Sequence, residues 1–235
     1  HYTPLEVIVI DNASTDESVK VSREFKQVTL IQNTKNLGFP KALNIGLRQS
    51  RGDFILVLNP DTRIPIDFFK KSLTFYQAYP QAGLMGPKFT DPDGTPQGSV
   101  FPEPSILDTL REFWLGQKGL TLKECPKTDK PIPVNSLSGA CMFFPKNTLF
   151  QVGLFTEEVF MYYEDLDYCR RIRKLGKKIY FNPQIAIVHE HGASSSQTPK
   201  ALIYLTQSSL WYNGPLKHYL MAAISWSGQK LHHQR

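Results

Sequence analysis

The chain has 235 residues, 41% of them hydrophobic and 20% charged, with a net charge of +6. That is the make-up of one ordinary globular domain, long enough to bury a sizeable core, and its basic balance favours phosphates or an anionic membrane face as readily as it reflects solvated lysines. Cys125, Cys141 and Cys169, far apart and odd in number, exclude a disulfide framework or a metal knuckle and point to a reducing compartment, and no uncharged apolar run approaches the roughly 20 residues of a spanning helix.

In chain order, "LEVIVI" (5–10) is an apolar, β-branched run suited to a strand buried on both faces. It stops at Asp11-Asn12-Ala13-Ser14-Thr15-Asp16, where Ser14, Thr15 or Asp16 is placed to cap a helix over "ESVKVSREF". "VTLIQN" (28–33) predicts a second strand. A polar loop with Gly38 then leads to a helix over "PKALNIGLRQS", with Pro40 near its start. "DFILVLN" (53–59) predicts a third strand and "PIDFFKKSLTFYQAY" (65–79) a third helix, and this alternation argues for a parallel α/β sheet. Beyond about residue 80 the rhythm changes. "AGLMGPKF" predicts a strand, "TDPDGTPQGS" turns, "SILDTLREFWLG" a helix and "LTLKECPKTDKPIP" an irregular connection. "VNSLSGACMFFPK" predicts a strand, and "YYEDLDYCRRIRKLG" a helix with acids in its first turn, bases in its last and Gly176 as its stop. "KKIYFNP" and "IAIVHEHG" predict two short strands, and residues 199–229 a helical tail broken near Asn213-Gly214-Pro215.

In open α/β sheets ligands bind beyond the carboxyl ends of strands. Two predicted strands end there on an acid, Asp11 and the Asp61 of "FILVLNPDTRIP". Taken singly, each is explained as a turn former or a helix cap, Asp61-Thr62 for the helix near 65. "EDLD" (164–167) complements a helix dipole, and Asp167 with Arg171 is an ordinary i,i+4 pair. "VHEHGASSS" (188–196) is a loop with two histidines, either of which can join a carboxylate on a metal. Together these residues suggest divalent-metal help to a phosphate-bearing leaving group, plus one general base.

"VIVIDNASTDES", "NTKNLGFPKALNIGL", "FILVLNPDT", "SGACMFFPK", "MYYEDLDYCRRIRKLG" and "VHEHGASSS" occur in this order. The set resembles the inverting GT-A glycosyltransferases of family 2, especially their bacterial rhamnosyltransferase-like branch, over residues 5–196. The resemblance implies a GT-A-like (Rossmann-like), mostly parallel α/β sheet flanked by helices over 1–198, with a helical extension over 199–235. It implies transfer of a sugar from a nucleoside diphosphate, dTDP-rhamnose or a UDP-sugar, to a saccharide or lipid-linked acceptor, with Mg²⁺ or Mn²⁺ as cofactor and no nucleic-acid partner. By position, Asp11, Asn12 and Ser14 resemble the nucleobase pocket, Asn36, Gly38 and Asn44 the segment beside the nucleotide, and Asn59 a contact to the nucleotide or its ribose. Asp61 resembles the metal ligand of a DxD-like motif, His189 a further ligand, with His191 fitting less well. Gly139 and Ala140 resemble the backbone beside the donor sugar, Glu164 an acceptor contact and Asp165 the catalytic base. The family pattern has a strand and helix ahead of "LEVIVI", so residues 1–235 alone are expected to be less stable and catalytically poor. A nucleotide-binding chain that no longer transfers is the alternative, and a nucleotidyltransferase a third reading. The tail is expected to pack on the domain or join a homodimer, ahead of lying on anionic lipid at the cytoplasmic membrane face.

Overall fold

The computed structural model describes residues 3–190 and 198–233. The first half alternates as expected: β1 (Val7–Asp11), α1 (Ser18–Glu24), β2 (Val28–Gln32), α2 (Phe39–Gln49), β3 (Phe54–Leu58), the two-residue β4 (Thr62–Arg63), α3 (Phe68–Ala78) and β5 (Ala82–Thr90). Short pieces follow: β6 (Pro96–Gln97), β7 (Val100–Phe101), α4 (Ile106–Phe113), β8 (Ile132–Val134) and β9 (Ser136–Leu137). The chain then forms β10 (Cys141–Pro145), α5 (Lys146–Val152), α6 (Glu164–Lys174), β11 (Lys178–His189), α7 (Pro199–Asn213) and α8 (Pro215–His233).

The α/β architecture is present, and its sheet is mixed. The main sheet runs β3-β10-β5-β11-β4, with β6 on β5 and β8 on β11, while β1 and β2 pair in parallel as a separate two-stranded sheet. β10 is antiparallel to β3 and β5, and β5 is parallel to β11, so β3, β5 and β11 point the same way and end at one edge. Alternation of side chains along β10 explains why its run is apolar throughout. Met142 and Phe144 enter one core with Leu84, Phe181 and the α6 residues Tyr168, Cys169 and Ile172. Cys141 and Phe143 enter the opposite core with Met85, Ile187 and the α3 residues Phe68, Phe75 and Tyr76. All three cysteines are free.

Two sequence expectations differ from the structure, and one helix was not expected. "KKIYFNP" and "IAIVHEHG" join in the single strand β11, because a register shift between Asn182 and Ala186 takes Pro183 out of the ladder with β5. Glu17, rather than Ser14, Thr15 or Asp16, stands at the start of α1 and makes no side-chain cap, although the Asp16 carboxylate accepts from Ser18 N at 3.0 Å. The short α5 had no cap signal and is held by Thr148 and Leu149 in the core. No helix among the described residues is long and apolar enough to cross a membrane.

Candidate active site

The turn after β3 is built by its neighbours. Asn59 N donates to Ala140 O at 2.9 Å, and Thr62 Oγ1 closes the turn on Asn59 O at 2.6 Å. β4 then runs antiparallel to the end of β11, pairing Thr62 with His189, while Glu190 N donates to Asp61 O at 2.7 Å. This crossing brings His189 Nε2 to 3.5 Å from Asp61 Oδ1, a buried oxygen with no hydrogen-bond partner. Asp61 is not a helix cap, since α3 begins after Asp67. Gln97 of β6 decides how the histidine is held. Its Nε2 donates to Asp91 Oδ1 at 2.8 Å and to His189 O at 3.1 Å, both pure acceptors, so its Oε1 faces His189 Nδ1 at 2.7 Å and must accept. Nδ1 therefore carries a proton, and Nε2 faces the Asp61 carboxylate. Among the described residues no group of three or more His, Cys, Asp and Glu side chains is placed to hold a metal, so Asp61 and His189 could hold an ion only if phosphate and water supplied its other ligands.

The second part of the site opens α6. Asp165 Oδ2 accepts from Gly139 N at 3.0 Å and its Oδ1 from Leu166 N at 2.8 Å. A Cβ added at Gly139 would lie 3.5 Å from Asp165 Cβ, an ordinary contact, so it is the Gly139 N–H that serves the site. Burial raises the Asp165 carboxyl above its ordinary value, opposed by the two N–H donors and by the charge of Lys123. Glu164 beside it is 7% exposed, and its Oε2 has no hydrogen-bond partner. Burial, then the neighbouring Asp165 charge, push Glu164 up to about 8. Burial raises both carboxyls, and at Asp165 the Gly139 and Leu166 N–H groups and Lys123 oppose it. Tyr162 and Tyr163, just ahead of them, have φ of 70° and 65°, a conformation that L residues other than Asn and Asp seldom adopt, and one that re-aims the chain into α6. Both carboxyls line a cavity of about 250 Å³ whose walls include Phe101, Pro104, Tyr162, Tyr163, Leu205 of α7 and Met221 of α8.

The third part is the loop between β1 and α2. Asp11 is buried at the end of β1, where its carboxylate accepts from Ser14 N at 3.2 Å and so draws Ser14 into the turn. Asn12 ties the loop together, donating to Asn36 Oδ1 at 2.9 Å and Gly38 O at 3.2 Å, and accepting from Leu37 N and Asn33 Nδ2. Gly38 has φ +86° and lies against Phe160 O, so no side chain fits there. Asn44 corrects the sequence expectation. It is fully buried, and both ends of its amide are used on Phe155 and Glu157, so it clamps α2 to that segment rather than lining a cleft. His191 and "GASSS" lie outside the described residues.

The first two parts are joined through Gly139, Ala140 and Asn59, and the third lies on the separate β1–β2 pair; comparison with known proteins gives the chain a family. The profile described as "Glycosyl transferase family 2" matches residues 1–132, more than half of the chain. The chain belongs to glycosyl transferase family 2. Among curated relatives of this family, an N-acetylglucosaminyl-diphospho-decaprenol L-rhamnosyltransferase from Mycobacterium tuberculosis is 27% identical over 250 residues, covering 94% of this chain and 81% of the relative. A dTDP-rhamnosyl transferase RfbF from Shigella flexneri is 29% identical over 193 residues, covering 80% of this chain and 61% of the relative. The crystal structure of GalNAc-T7 with UDP, GalNAc and Mn²⁺ shares the fold with a TM-score of 0.61 at 15% identity, covering 89% of this chain and 42% of that one. The fold is thus GT-A, and the chain is rhamnosyltransferase-like.

Two further residues of this family 2 site escaped sequence reading. Gln97 sits in a turn-rich stretch where nothing marks it as a partner of a histidine 92 positions later. Glu103 accepts from Arg170 at 2.8 Å, Arg173 at 2.6 Å and Tyr212 at 2.9 Å, fastening α6 to α7 beside the cavity. The i,i+4 pair Asp167–Arg171 forms as expected, at 2.8 Å.

Proposed function

We propose that this chain transfers a sugar, with inversion, from a nucleoside diphosphate to a hydroxyl of a saccharide or lipid-linked acceptor, assisted by a divalent cation. The observation that carries this reading is the continuity from Asp165 through Gly139, Ala140 and Asn59 to the facing pair Asp61 and His189. In one displacement the acceptor oxygen attacks the anomeric carbon, the bond to the diphosphate breaks with its electron pair, and Asp165 takes the hydroxyl proton. A base so placed contributes about 10²–10⁴-fold. Glu164, buried and pushed up to about 8, would donate a hydrogen bond to the acceptor or the sugar. Gly139 and Ala140 would let the donor sugar pass close to the backbone, and Asp11, Asn12, Ser14, Asn36, Gly38 and Asn59 would hold the nucleotide. A cation between Asp61 and His189 would neutralise charge growing on the leaving diphosphate. Mg²⁺ and Mn²⁺ both suit this oxygen and imidazole set. The names of the two relatives make dTDP-rhamnose the first donor to test and UDP-sugars the second.

The test is nucleoside diphosphate binding by thermal shift with and without Mn²⁺, alongside donor turnover with acceptor. Asp61→Ala should lose the metal-dependent part of binding and of transfer together. Asp165→Asn should bind donor as before and lose transfer. Near-native transfer by Asp165→Asn, or unchanged Mn²⁺-dependent affinity in Asp61→Ala, refutes the assignment.

A further inference from the structure

Helices α7 and α8 close one side of the cavity at Glu164 and Asp165, through Leu205 and Met221. α8 is fixed on α4. Trp114 Nε1 donates to Ile224 O at 3.2 Å, and Gly228 lies against the Phe113 carbonyl with no room for a Cβ. α7 is fixed on the turn that aims the two carboxyls. Ser208 Oγ donates to Met161 O at 2.8 Å, Tyr204 stacks on Phe160 with ring centres 4.4 Å apart, and Tyr212 meets Tyr163 at 5.1 Å. These contacts hold the left-handed Tyr162 and Tyr163 from outside and offset the cost of their backbone. The same turn meets the start of α2, where Phe160 O accepts from Phe39 N at 2.8 Å.

We propose that α7 and α8 complete an acceptor subsite at Asp165 that holds one uncharged sugar ring, so that these helices select the acceptor; this rests on the transferase reading above. The cavity measures about 250 Å³, below the roughly 300–1,000 Å³ of pockets that enclose drug-sized ligands, which leaves room for one ring and not for a nucleoside diphosphate. Its walls contain no lysine, arginine or histidine, and their charged residues are the acids Glu103, Glu164 and Asp165, so a diphosphate is repelled. Phe101, Pro102, Pro104, Tyr162 and Tyr163 offer apolar faces to the C–H groups of a ring. Glu164 Oε2 and Tyr162 Oη, on residues of the same wall, are buried without a hydrogen-bond partner, and the hydroxyls of a sugar would satisfy both. Asp165 stands at the boundary. It lines the cavity and accepts from Gly139 N, whereas Asn59, Asp61, Gly139 and His189 do not line it. Donor diphosphate and acceptor ring therefore reach Asp165 from different sides, and whatever carries the ring, lipid or saccharide, stays outside the cavity.

The test is saturation-transfer NMR of the full chain with the methyl glycosides of glucose, galactose, rhamnose and N-acetylglucosamine, and with methyl glucuronide as the anionic control. Thermal shift by nucleoside diphosphate with Mn²⁺ is measured in parallel. At least one neutral glycoside should bind, and the glucuronide should not. Leu205→Trp and Met221→Trp, which fill the cavity from different helices, should each lose the glycoside signal and keep the diphosphate shift. Tyr162→Phe removes one hydroxyl without changing the packing, so it keeps the test standing if a tryptophan variant fails to fold; it should weaken glycoside affinity about 2–10-fold, the loss of one hydrogen bond. No binding by any neutral glycoside, binding of the glucuronide as tight as theirs, or equal binding by parent and all three variants overturns the proposal. Loss of the diphosphate shift together with the glycoside signal in the folded tryptophan variants assigns the cavity to the donor and overturns it too. A diphosphate shift without glycoside binding removes the acceptor subsite alone, whereas glycoside binding without any diphosphate shift keeps the sugar site and removes the transferase reading.

Discussion

Replacing Gln97 with leucine tests how the Asp61–His189 pair is held. Gln97 is 7% exposed, and its amide makes three hydrogen bonds, two to Asp91 and the His189 carbonyl and one from His189 Nδ1. Leucine is of similar size and removes all three. The ring then loses the acceptor that holds a proton on Nδ1 and with it the partner that leaves Nε2 for a cation. Loss of an orienting partner of this kind lowers metal affinity by about 10–100-fold, which is roughly 1.4–2.7 kcal/mol. Leaving the buried partners unpaired costs about 1–3 kcal/mol of stability, or roughly 2–12 °C in melting temperature for a chain of this size. The assay is calorimetric titration of Mn²⁺ in saturating nucleoside diphosphate, with a thermal melt beside it. Gln97→Glu separates the two effects. Its carboxylate still accepts from Nδ1, so the affinity should survive, but it cannot donate to Asp91 and meets it with like charge, so the melt should fall. Native Mn²⁺ affinity in Gln97→Leu, or equal loss of affinity in both variants, would refute the tautomer reasoning.

Glu103→Ala strands Arg170 and Arg173, whose side chains are each 28% exposed, and should lower stability by about 2–3 kcal/mol after allowing for solvent screening. Burial alone would raise Glu103, but the bonds from Arg170, Arg173 and Tyr212 outweigh it and hold the carboxyl below the usual glutamate value. The advantage of the parent over Glu103→Gln should therefore be complete above the unfolded glutamate pKa, about 4.3, and disappear as pH falls through the lower native value; a gap that persists at low pH contradicts this. Glu164 is the opposite case, with a native value raised to about 8. Its contribution is complete below the unfolded value and is lost as pH rises through 8, so melting curves from pH 5 to 9 should decline less for Glu164→Gln than for the parent. Gly38→Ala forces a Cβ to within 2.5 Å of Phe160 O at φ +86°, and a strained backbone of this kind costs about 1–3 kcal/mol; an unchanged melt would show that the loop moves aside freely.

Local pattern carried much of this protein. Strands over β1, β2, β3 and β5, helices over α2, α3 and α6, and the break between α7 and α8 were legible because period, caps, glycine and proline act within a few residues. So was the placing of Asp11, Asp61, Asp165 and His189 at element ends, and the resemblance carried their order along the chain. The tertiary structure decided what each acid does. Asp61 and Asp167 look alike in sequence, but β4 crosses to β11 and sets Asp61 against His189, whereas Asp167 pairs with Arg171 on its own helix. Asn44 reads as a polar residue of a binding segment, yet packing buries its amide on Phe155, 111 residues away. Gln97 reads as a turn residue and orients a histidine. Glu164 and Asp165 are adjacent acids in the sequence, both raised by burial, and the Gly139 and Leu166 N–H groups at Asp165 set them apart. A side chain's protonation and partners depend on the dielectric and donors around it, and those arrive from distant segments when the chain folds.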